Sequence, residues 1–270
     1  MLNKIDNAVH FLREKINFKT EIALILGTGL NTIAEIIKNP IIISYSEIPG
    51  FPVSTAPMHK GKLIVGNIQN KEIIIMQGRL HFYEGYSMND VVFPIRVLRA
   101  LGVKKLILTN ASGSLNKELL PGDLILIEDH INLMGTNPLI GENFEELGPR
   151  FPSMNEPYDK KMRDIAISIS KENNFDLKTG VYVAVSGPSL ETKAECLMMA
   201  KMGADLVGMS TVPEVIVGIH SGMKILAISA VTNLSNIFHS EPHTQEEINK
   251  NAAKARINLE NLIINLIKKI

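Results

Sequence analysis

The stretch Ile22-Ala-Leu-Ile-Leu26, followed by Gly27-Thr-Gly-Leu30 and then by Asn31 to Ile37, decides the fold class of this chain. Five consecutive apolar residues predict a buried strand, and the two glycines predict a tight turn after it. The apolar spacing between Asn31 and Ile37 then predicts a helix. A strand, a tight turn and a helix in this order are typical of an α/β fold.

The alternation of strands and helices continues along the chain. Gln69-Asn-Lys71 separates two β-rich runs, and this hairpin predicts a mixed rather than a purely parallel sheet. Later strands are predicted at Lys105 to Thr109, Leu124 to Glu128, Val181 to Val185, Leu206 to Met209 and Ile225 to Ala230. Helices are predicted at Lys160 to Glu172, Thr192 to Met202, Pro213 to Ser221 and Gln245 to Lys269. Another is predicted between Ser87, which with Asp90 resembles a capping box, and Gly102, which should end the helix.

The chain contains no linker, repeat or low-complexity segment. Residues 1–270 are therefore expected to form one α/β domain. Only the segment from Gly135 to Asp159 is long, proline-rich and irregular. Loops of that length in a compact domain are usually functional or lie at an interface.

The composition limits the partners and the cellular location. Lys and Arg number 28, as do Asp and Glu, so no global field attracts the protein to nucleic acid or to an anionic membrane. The single cysteine, Cys196, cannot form a disulfide within the chain and is most simply a small buried apolar residue. The apolar residues near the N-terminus have helical spacing, and no apolar run approaches the roughly 20 residues that span a bilayer. We expect a soluble, cytoplasmic protein.

Polar and glycine-rich segments follow the predicted strands, where ligands gather in open α/β sheets. Thr28 and its flanking glycines offer a hydroxyl and backbone N–H groups to an anion. The segment Gln77-Gly-Arg-Leu-His-Phe-Tyr-Glu-Gly85 concentrates charged and aromatic residues in one short loop. Arg79 can direct two donors at a phosphate, and His81 can add another. The alternative is an ordinary surface ion pair between Arg79 and Glu84.

Further segments of this kind are Thr109-Asn-Ala-Ser-Gly-Ser114, Ser186-Gly-Pro-Ser-Leu-Glu-Thr192, Gly208-Met-Ser-Thr-Val-Pro-Glu214 and Val231-Thr-Asn-Leu-Ser235. Structural interpretations also fit them: Ser210 can cap a helix, Glu191 can favour a helix start, and Asn233 can bond its own turn. No His, Cys, Asp and Glu cluster has the spacing of a metal site, and there is no Gly-x-Ser-x-Gly elbow. Phosphate donors, one carboxylate and one carboxamide remain, which suits transfer to phosphate better than hydrolysis by paired carboxylates.

Five segments resemble those of the trimeric purine nucleoside phosphorylases, relatives of the methylthioadenosine phosphorylases: Gln77–Gly85, Thr109–Asn116, Asp129–Asn132, Ser186–Thr192 and Gly203–Glu214. The resemblance runs from about Leu24 into the final helix. It implies a single-domain nucleoside phosphorylase fold of the α/β class, in which helices surround a mixed, partly barrel-like sheet. It also implies a homotrimer that needs no cofactor and uses inorganic phosphate as a co-substrate.

The resemblance assigns roles to individual residues. It implies that phosphate is held by Thr28, Arg79, His81, the backbone of Ala111, and Ser210. It places the ribose beside Tyr83 and Met209, with His59 in the adjoining loop.

The same resemblance assigns Glu191 and Asn233 to the purine and packs Tyr182 and Leu190 against the purine face. Phe151 would reach into the neighbouring subunit's site, which accounts for the long loop. Asn233, Glu191 and His81 are the expected catalytic groups.

The implied reaction is phosphorolysis of 6-oxopurine nucleosides, such as inosine, guanosine and their deoxy forms, to the free base and α-ribose 1-phosphate in purine salvage. Glu191 can accept from the N1–H of such a base, and Asn233 can donate to N7 as negative charge grows there. Adenine has no N1 proton and is poorly matched.

Two residues depart from the family pattern. Family members usually have Ser where Thr28 stands, so the hydroxyl is kept and a methyl is added. Many also have a His, which meets the ribose 5′-hydroxyl, where this chain has Gln245. His243 lies two residues earlier, and either side chain is a candidate for that contact.

Two other functions are compatible with parts of the sequence. A methylthioadenosine phosphorylase shares the implied fold, but it normally has Asp where Asn233 stands. A non-catalytic nucleoside-binding module is supported only by the glycine turn around Thr28.

Overall fold

A computed structural model describes residues 1–17, 19–56 and 60–270. These residues contain one nine-stranded mixed sheet with the order β2-β3-β4-β1-β5-β8-β7-β6-β9. The strands are β1 (Ile22–Leu26), β2 (Lys38–Ser44), β3 (Lys62–Ile68), β4 (Lys71–Gln77), β5 (Lys105–Ser114), β6 (Leu124–Leu133), β7 (Leu177–Val185), β8 (Leu206–Gly208) and β9 (Lys224–Leu234). The helices are α1 (Leu2–Lys15), α2 (Met88–Leu101), α3 (Lys160–Glu172), α4 (Lys193–Lys201), α5 (Val212–His220) and α6 (Gln245–Lys269).

The sheet closes on itself at one end. Strand β9 pairs in parallel with β5 as well as antiparallel with β6. The five strands β5, β8, β7, β6 and β9 therefore form a ring, whereas β2, β3, β4 and β1 extend from it as an open sheet. The expected mixed, partly barrel-like sheet surrounded by helices is confirmed.

Helices cover both faces of the sheet, and alternate residues of β1 show why. Ala23 and Ile25 pack into one apolar cluster with α1, α2 and α5. Leu24 and Leu26 pack into a second cluster with α3 and α6. Because successive side chains of a strand point to opposite faces, a strand that is apolar at every position is buried on both sides.

The helix predicted from Asn31 to Ile37 is a short 3₁₀ helix, and the strand after it was not predicted. Asn31–Ile36 forms a 3₁₀ helix, and the chain then enters the edge strand β2. Pro40 lowers the strand signal of this segment, but an edge strand with an irregular register between Lys38 and Ile41 accommodates it.

Strands β5 and β9 are longer than their apolar runs predicted. Their pairing continues through polar residues as far as Ser114 and Leu234. The polar ends of both strands point into a cavity rather than into the core, so apolar content underestimated the strand length.

Both ends of α2 follow the predicted chemistry. The side chain of Ser87 accepts a hydrogen bond from the backbone N–H of Asp90, and Gly102 adopts the left-handed conformation that ends the helix. In the part of the chain that the structure describes, no helix combines the length and the apolar character needed to cross a membrane.

Candidate active site

A cavity of about 390 Å³ lies at the carboxyl ends of β1, β4, β5, β7, β8 and β9. Eleven residues singled out from the sequence line it: Thr28, Arg79, His81, Tyr83, Ala111, Leu190, Glu191, Met209, Ser210, Asn233 and Gln245. The volume lies within the range of small-molecule sites. Strand ends that are distant in sequence thus converge on one pocket.

Arg79 follows β4 and is almost completely buried at the floor of the cavity. Its Nε donates to both carboxylate oxygens of Glu214, each at 3.0 Å, and its Nη1 donates to the carbonyl oxygen of Thr109 at 2.8 Å. The alternative partner considered from the sequence, Glu84, is wrong, because Glu84 bonds to His81 instead. The buried pair with Glu214 sets the position of the guanidinium at the cavity.

His81 is held by its neighbours in the same loop. Its Nδ1 lies 3.2 Å from Oε1 of Glu84, and its ring stacks on Tyr83 with the ring centres 4.7 Å apart. Burial raises the pKa of Glu84, but hydrogen bonds from His81 and Thr55 outweigh it and bring the pKa to about 2. The contacts with Glu84 and Tyr83 fix the orientation of the His81 ring at the cavity.

The turn after β1 brings Thr28 to the cavity edge. The backbone N–H of Gly27 donates to Oγ1 of Thr109 at 3.0 Å. A Cβ at Gly27 would lie only 2.6 Å from the Cα of Asn110. Glycine is therefore required for β1 and β5 to approach each other at the point where Thr28 enters the pocket.

Ser210 precedes α5 in an unusual turn centred on Thr211. Thr211 has φ of 72° and ψ of −54°, and the N–H of Val212 donates to the carbonyl of Ser210 at 2.8 Å. These features define a strained γ-turn. The side-chain Nδ2 of Asn110 donates to Oγ1 of Thr211 at 2.9 Å, and that oxygen lies 3.1 Å from the hydroxyl of Ser210.

Glu191 and Asn233 supply the other polar groups of the pocket. Burial raises the pKa of Glu191. The charge of Glu195 raises this pKa further, whereas a backbone hydrogen bond lowers it. The side-chain Oδ1 of Asn233 accepts from the hydroxyl of Thr232 at 2.9 Å. This hydrogen bond fixes the amide oxygen of Asn233, and the amide nitrogen lies at the cavity wall beside Gly113.

Three of the remaining predicted residues lie outside the cavity lining. Tyr182 is fully buried behind Gly208, and its hydroxyl lies 3.4 Å from the backbone nitrogen of Ser210. Tyr182 therefore does not line the cavity itself, and its packing against a purine face stays a prediction. A Cβ at position 208 would lie 2.3 Å from the tyrosine oxygen, so Gly208 forms the wall and Tyr182 supports it.

The other two lie on loops. Phe151 is 88% exposed, and its ring faces Arg150 rather than the cavity of its own chain. His243 stacks on His239 with the ring centres 4.9 Å apart, and burial lowers its pKa. Gln245, in contrast, lines the cavity and donates to Asn249 at 3.0 Å. His59, expected near the ribose, lies outside the described residues.

Sequence reasoning assigned no site role to Glu214 and Asn110, which position Arg79 and Thr211. Both residues lie in segments that were considered as candidate sites. Glu214 is 135 residues from Arg79, however, and Asn110 is 101 residues from Thr211, so neither contact leaves a local signal in the sequence. The described residues contain no group of three or more His, Cys, Asp or Glu side chains arranged to hold a metal ion.

The fold and the cavity together define an α/β protein with a pocket that combines donors for an oxyanion with a carboxylate and a carboxamide for a polar ligand. Residues 21–268 match the family model of the phosphorylase superfamily, and the chain belongs to that family.

Two curated relatives are similar over nearly their whole length. Purine nucleoside phosphorylase 1 of Bacillus subtilis (strain 168) is 47% identical, with 97% of each chain covered. Purine nucleoside phosphorylase 1 of Geobacillus stearothermophilus is 48% identical over 93% of this chain and 92% of the relative.

Among solved structures, the purine nucleoside phosphorylase of Schistosoma mansoni is similar to this chain both in its complex with inosine and in its complex with adenosine. Each of the two structures has a TM-score of 0.94 and 38% identity to this chain, and each covers 100% of this chain. The match covers 97% of the inosine-bound chain and 98% of the adenosine-bound chain.

Proposed function

We propose that this protein is a purine nucleoside phosphorylase, which transfers the ribosyl group of a purine nucleoside to inorganic phosphate. One observation carries the proposal: a single cavity is lined by the donors Thr28, Arg79, His81 and Ser210 and also by Glu191 and Asn233. The relatives from Bacillus subtilis and Geobacillus stearothermophilus have the same name, and the family match covers nearly the whole chain.

In the proposed reaction, a phosphate oxygen forms a bond to C1′ while the bond from C1′ to purine N9 breaks. The electron pair of that bond passes to the base, which then takes up a proton. Positive charge grows on the sugar and negative charge on the purine. Phosphate held by Arg79, His81 and Ser210 stabilises the positive charge on the sugar. A hydrogen bond from Asn233 to N7 stabilises the negative charge on the purine. Displacement from the face opposite the base yields α-ribose 1-phosphate.

We further propose a preference for 6-oxopurines, with Glu191 accepting from N1–H and Asn233 donating to N7. An ionised Glu191 repels the N1 lone pair of adenine, because neither atom carries a proton. The similar Schistosoma protein has been solved with adenosine as well as with inosine, so substrate preference has to be measured for this chain.

The proposed working form is a cytoplasmic homotrimer of one-domain chains 1–270, without a cofactor or metal. Exposed Phe151 on the long segment before α3 supports a contact with a neighbouring subunit's site. Light scattering should give three chains per particle, and Phe151→Ala should raise the KM for inosine. A fully active monomer would contradict this arrangement.

The decisive experiment measures base release from inosine, guanosine, adenosine and methylthioadenosine, each with and without phosphate. We expect rapid release of hypoxanthine and guanine that depends on phosphate and is unaffected by a chelator. Release of base at an undiminished rate without phosphate would identify a hydrolase. Preferred cleavage of methylthioadenosine would identify the related phosphorylase, and binding without cleavage would identify a nucleoside-binding module.

A further inference from the structure

A second cavity, of about 280 Å³, lies away from the candidate active site, between α2, the end of α5 and the irregular segment 135–159. Arg96 of α2, His220 of α5 and Asn143 of the segment line it. Helix α5 separates this cavity from Ser210, which precedes its first residue. Nine helical residues span about 13 Å, so the two sites are distinct.

Arg96 is 93% buried, since its exposed fraction is 7%. Its Nε and Nη1 are buried atoms without a hydrogen-bond partner among the described residues. Burial lowers the pKa of Arg96. A guanidinium removed from water without acceptors is strongly unfavourable, so a group that supplies acceptor oxygens should occupy this position.

His220 adds a second unused group at the same place. It is 3% exposed, and its Nε2 lies 3.3 Å from Oδ1 of Asn143. Its Nδ1 has no hydrogen-bond partner among the described residues. Burial lowers the pKa of His220, and the positive charge of Arg96 lowers it further against nearby carbonyl groups. The two basic side chains therefore line the same cavity and interact electrostatically.

The groups already near the cavity do not neutralise the positive charge of Arg96. The carbonyl end of α5 offsets only part of that positive charge through the helix dipole. Glu142 lines the cavity, but neither buried nitrogen of Arg96 has a partner in the part of the chain that the structure describes.

We propose that this cavity is a second anion site, which binds an oxyanion beside the guanidinium of Arg96 and the imidazole of His220. A buried guanidinium with unused N–H donors suits a phosphate, sulfate or carboxylate group. The oxyanion is inorganic phosphate from solution or the carboxylate of a second copy of this chain. The site does not depend on the proposed function.

Calorimetric titration with inorganic phosphate tests the proposal in solution. Wild type should bind two phosphates per chain, Arg96→Met one, and the control Arg99→Met two, because Arg99 lies one turn later on α2 and donates to the carbonyl of Ser221 instead. Loss of hydrogen bonds to a charged group should weaken the second site by about tenfold or more. If the active site proved not to bind phosphate, the counts would be one for wild type and none for Arg96→Met, so the two proposals fail separately.

Crystals of the wild-type protein soaked in millimolar selenate provide a test that does not require a stable variant. An anomalous peak beside Arg96 and His220 would support binding of a free oxyanion. A carboxylate of a second copy at the same position, with a lower assembly mass for Arg96→Met, would support the protein source. Water alone, a bond from Glu142 to Arg96, or equal phosphate counts for wild type and Arg96→Met without a second copy's carboxylate beside Arg96 would overturn the proposal.

Discussion

The side-chain amide of Asn110 donates a hydrogen bond of 2.9 Å to the hydroxyl of Thr211, and both residues are 1% exposed. Thr211 occupies a strained, positive-φ conformation between Ser210, which lines the candidate active site, and α5. Strained backbone persists where surrounding contacts hold it, and such positions cluster at functional sites. The contact therefore holds the turn that presents Ser210 to the cavity.

Replacing the Thr211 hydroxyl should weaken phosphate binding although Thr211 does not line the cavity. Thr211→Val keeps the branched shape and removes the oxygen that contacts both Asn110 and Ser210. We expect KM for phosphate to rise about fivefold, which corresponds to about 1 kcal/mol for one hydrogen bond. Initial rates at varied phosphate measure it. Thr211→Ser is the control and should remain within about twofold of wild type, since it keeps the hydroxyl. Equal effects of both changes would show that the methyl group matters instead.

Removing the charge of Glu214 should destabilise the protein strongly. Glu214→Gln leaves the buried Arg79 guanidinium without its counter-charge. Breaking one partner of a buried pair costs about 3 kcal/mol or more of unfolding free energy. Urea unfolding at fixed protein concentration measures the change. Asp164→Asn breaks the exposed pair with Lys160 and should cost less than about 1 kcal/mol. If Glu214→Gln also cost less than about 1 kcal/mol, the buried Arg79 would not depend on the charge of Glu214.

The hydrogen bonds of Glu84 predict a component of acid denaturation. Its pKa of about 2 in the folded protein lies below the ordinary value of 4.5, so the unfolded chain binds its proton first as the pH falls. The stability that Glu84 contributes is complete above pH 4.5 and is lost between 4.5 and 2. The difference in unfolding free energy between wild type and Glu84→Gln should therefore narrow across this window. The exposed Glu118→Gln serves as the control. A difference that stays constant from neutral pH to pH 2 would disprove the contribution.

Asn233 should decide which purine is preferred. Asn233→Asp replaces the amide donor by a carboxylate that repels the lone pairs of N7 and O6 of hypoxanthine. A protonated Asp facing a 6-aminopurine could donate to N7 and accept from the amine. We expect the ratio of kcat/KM for inosine to that for adenosine to fall by about 100-fold, as mismatched buried polar partners discriminate by a few kcal/mol. Asn233→Ala should lower both values together. An unchanged ratio in Asn233→Asp would show that Asn233 does not contact the base.

Local chemistry explains which structural predictions were confirmed. The limits of α3 and α6 and the capping of α2 by Ser87 follow from apolar spacing and side-chain caps that lie within a few residues of each other. Strand β2 was missed because Pro40 interrupts its signal, and an edge strand tolerates proline where a central strand does not. The resemblance placed many side chains near one another, but the individual contacts of each residue depend on distant partners.

The sequence by itself determined the α/β class, the polar strand ends and the residue types available for an anion and a polar ring, because these depend on periodicity and on neighbours along the chain. Only the tertiary structure decided that Arg79 pairs with Glu214 rather than with Glu84, and that Tyr182 lies behind Gly208. Both outcomes depend on which strand ends meet when β5 and β9 close the ring. A buried charge takes the acceptor that packing brings within reach, and its distance along the chain does not reveal that partner.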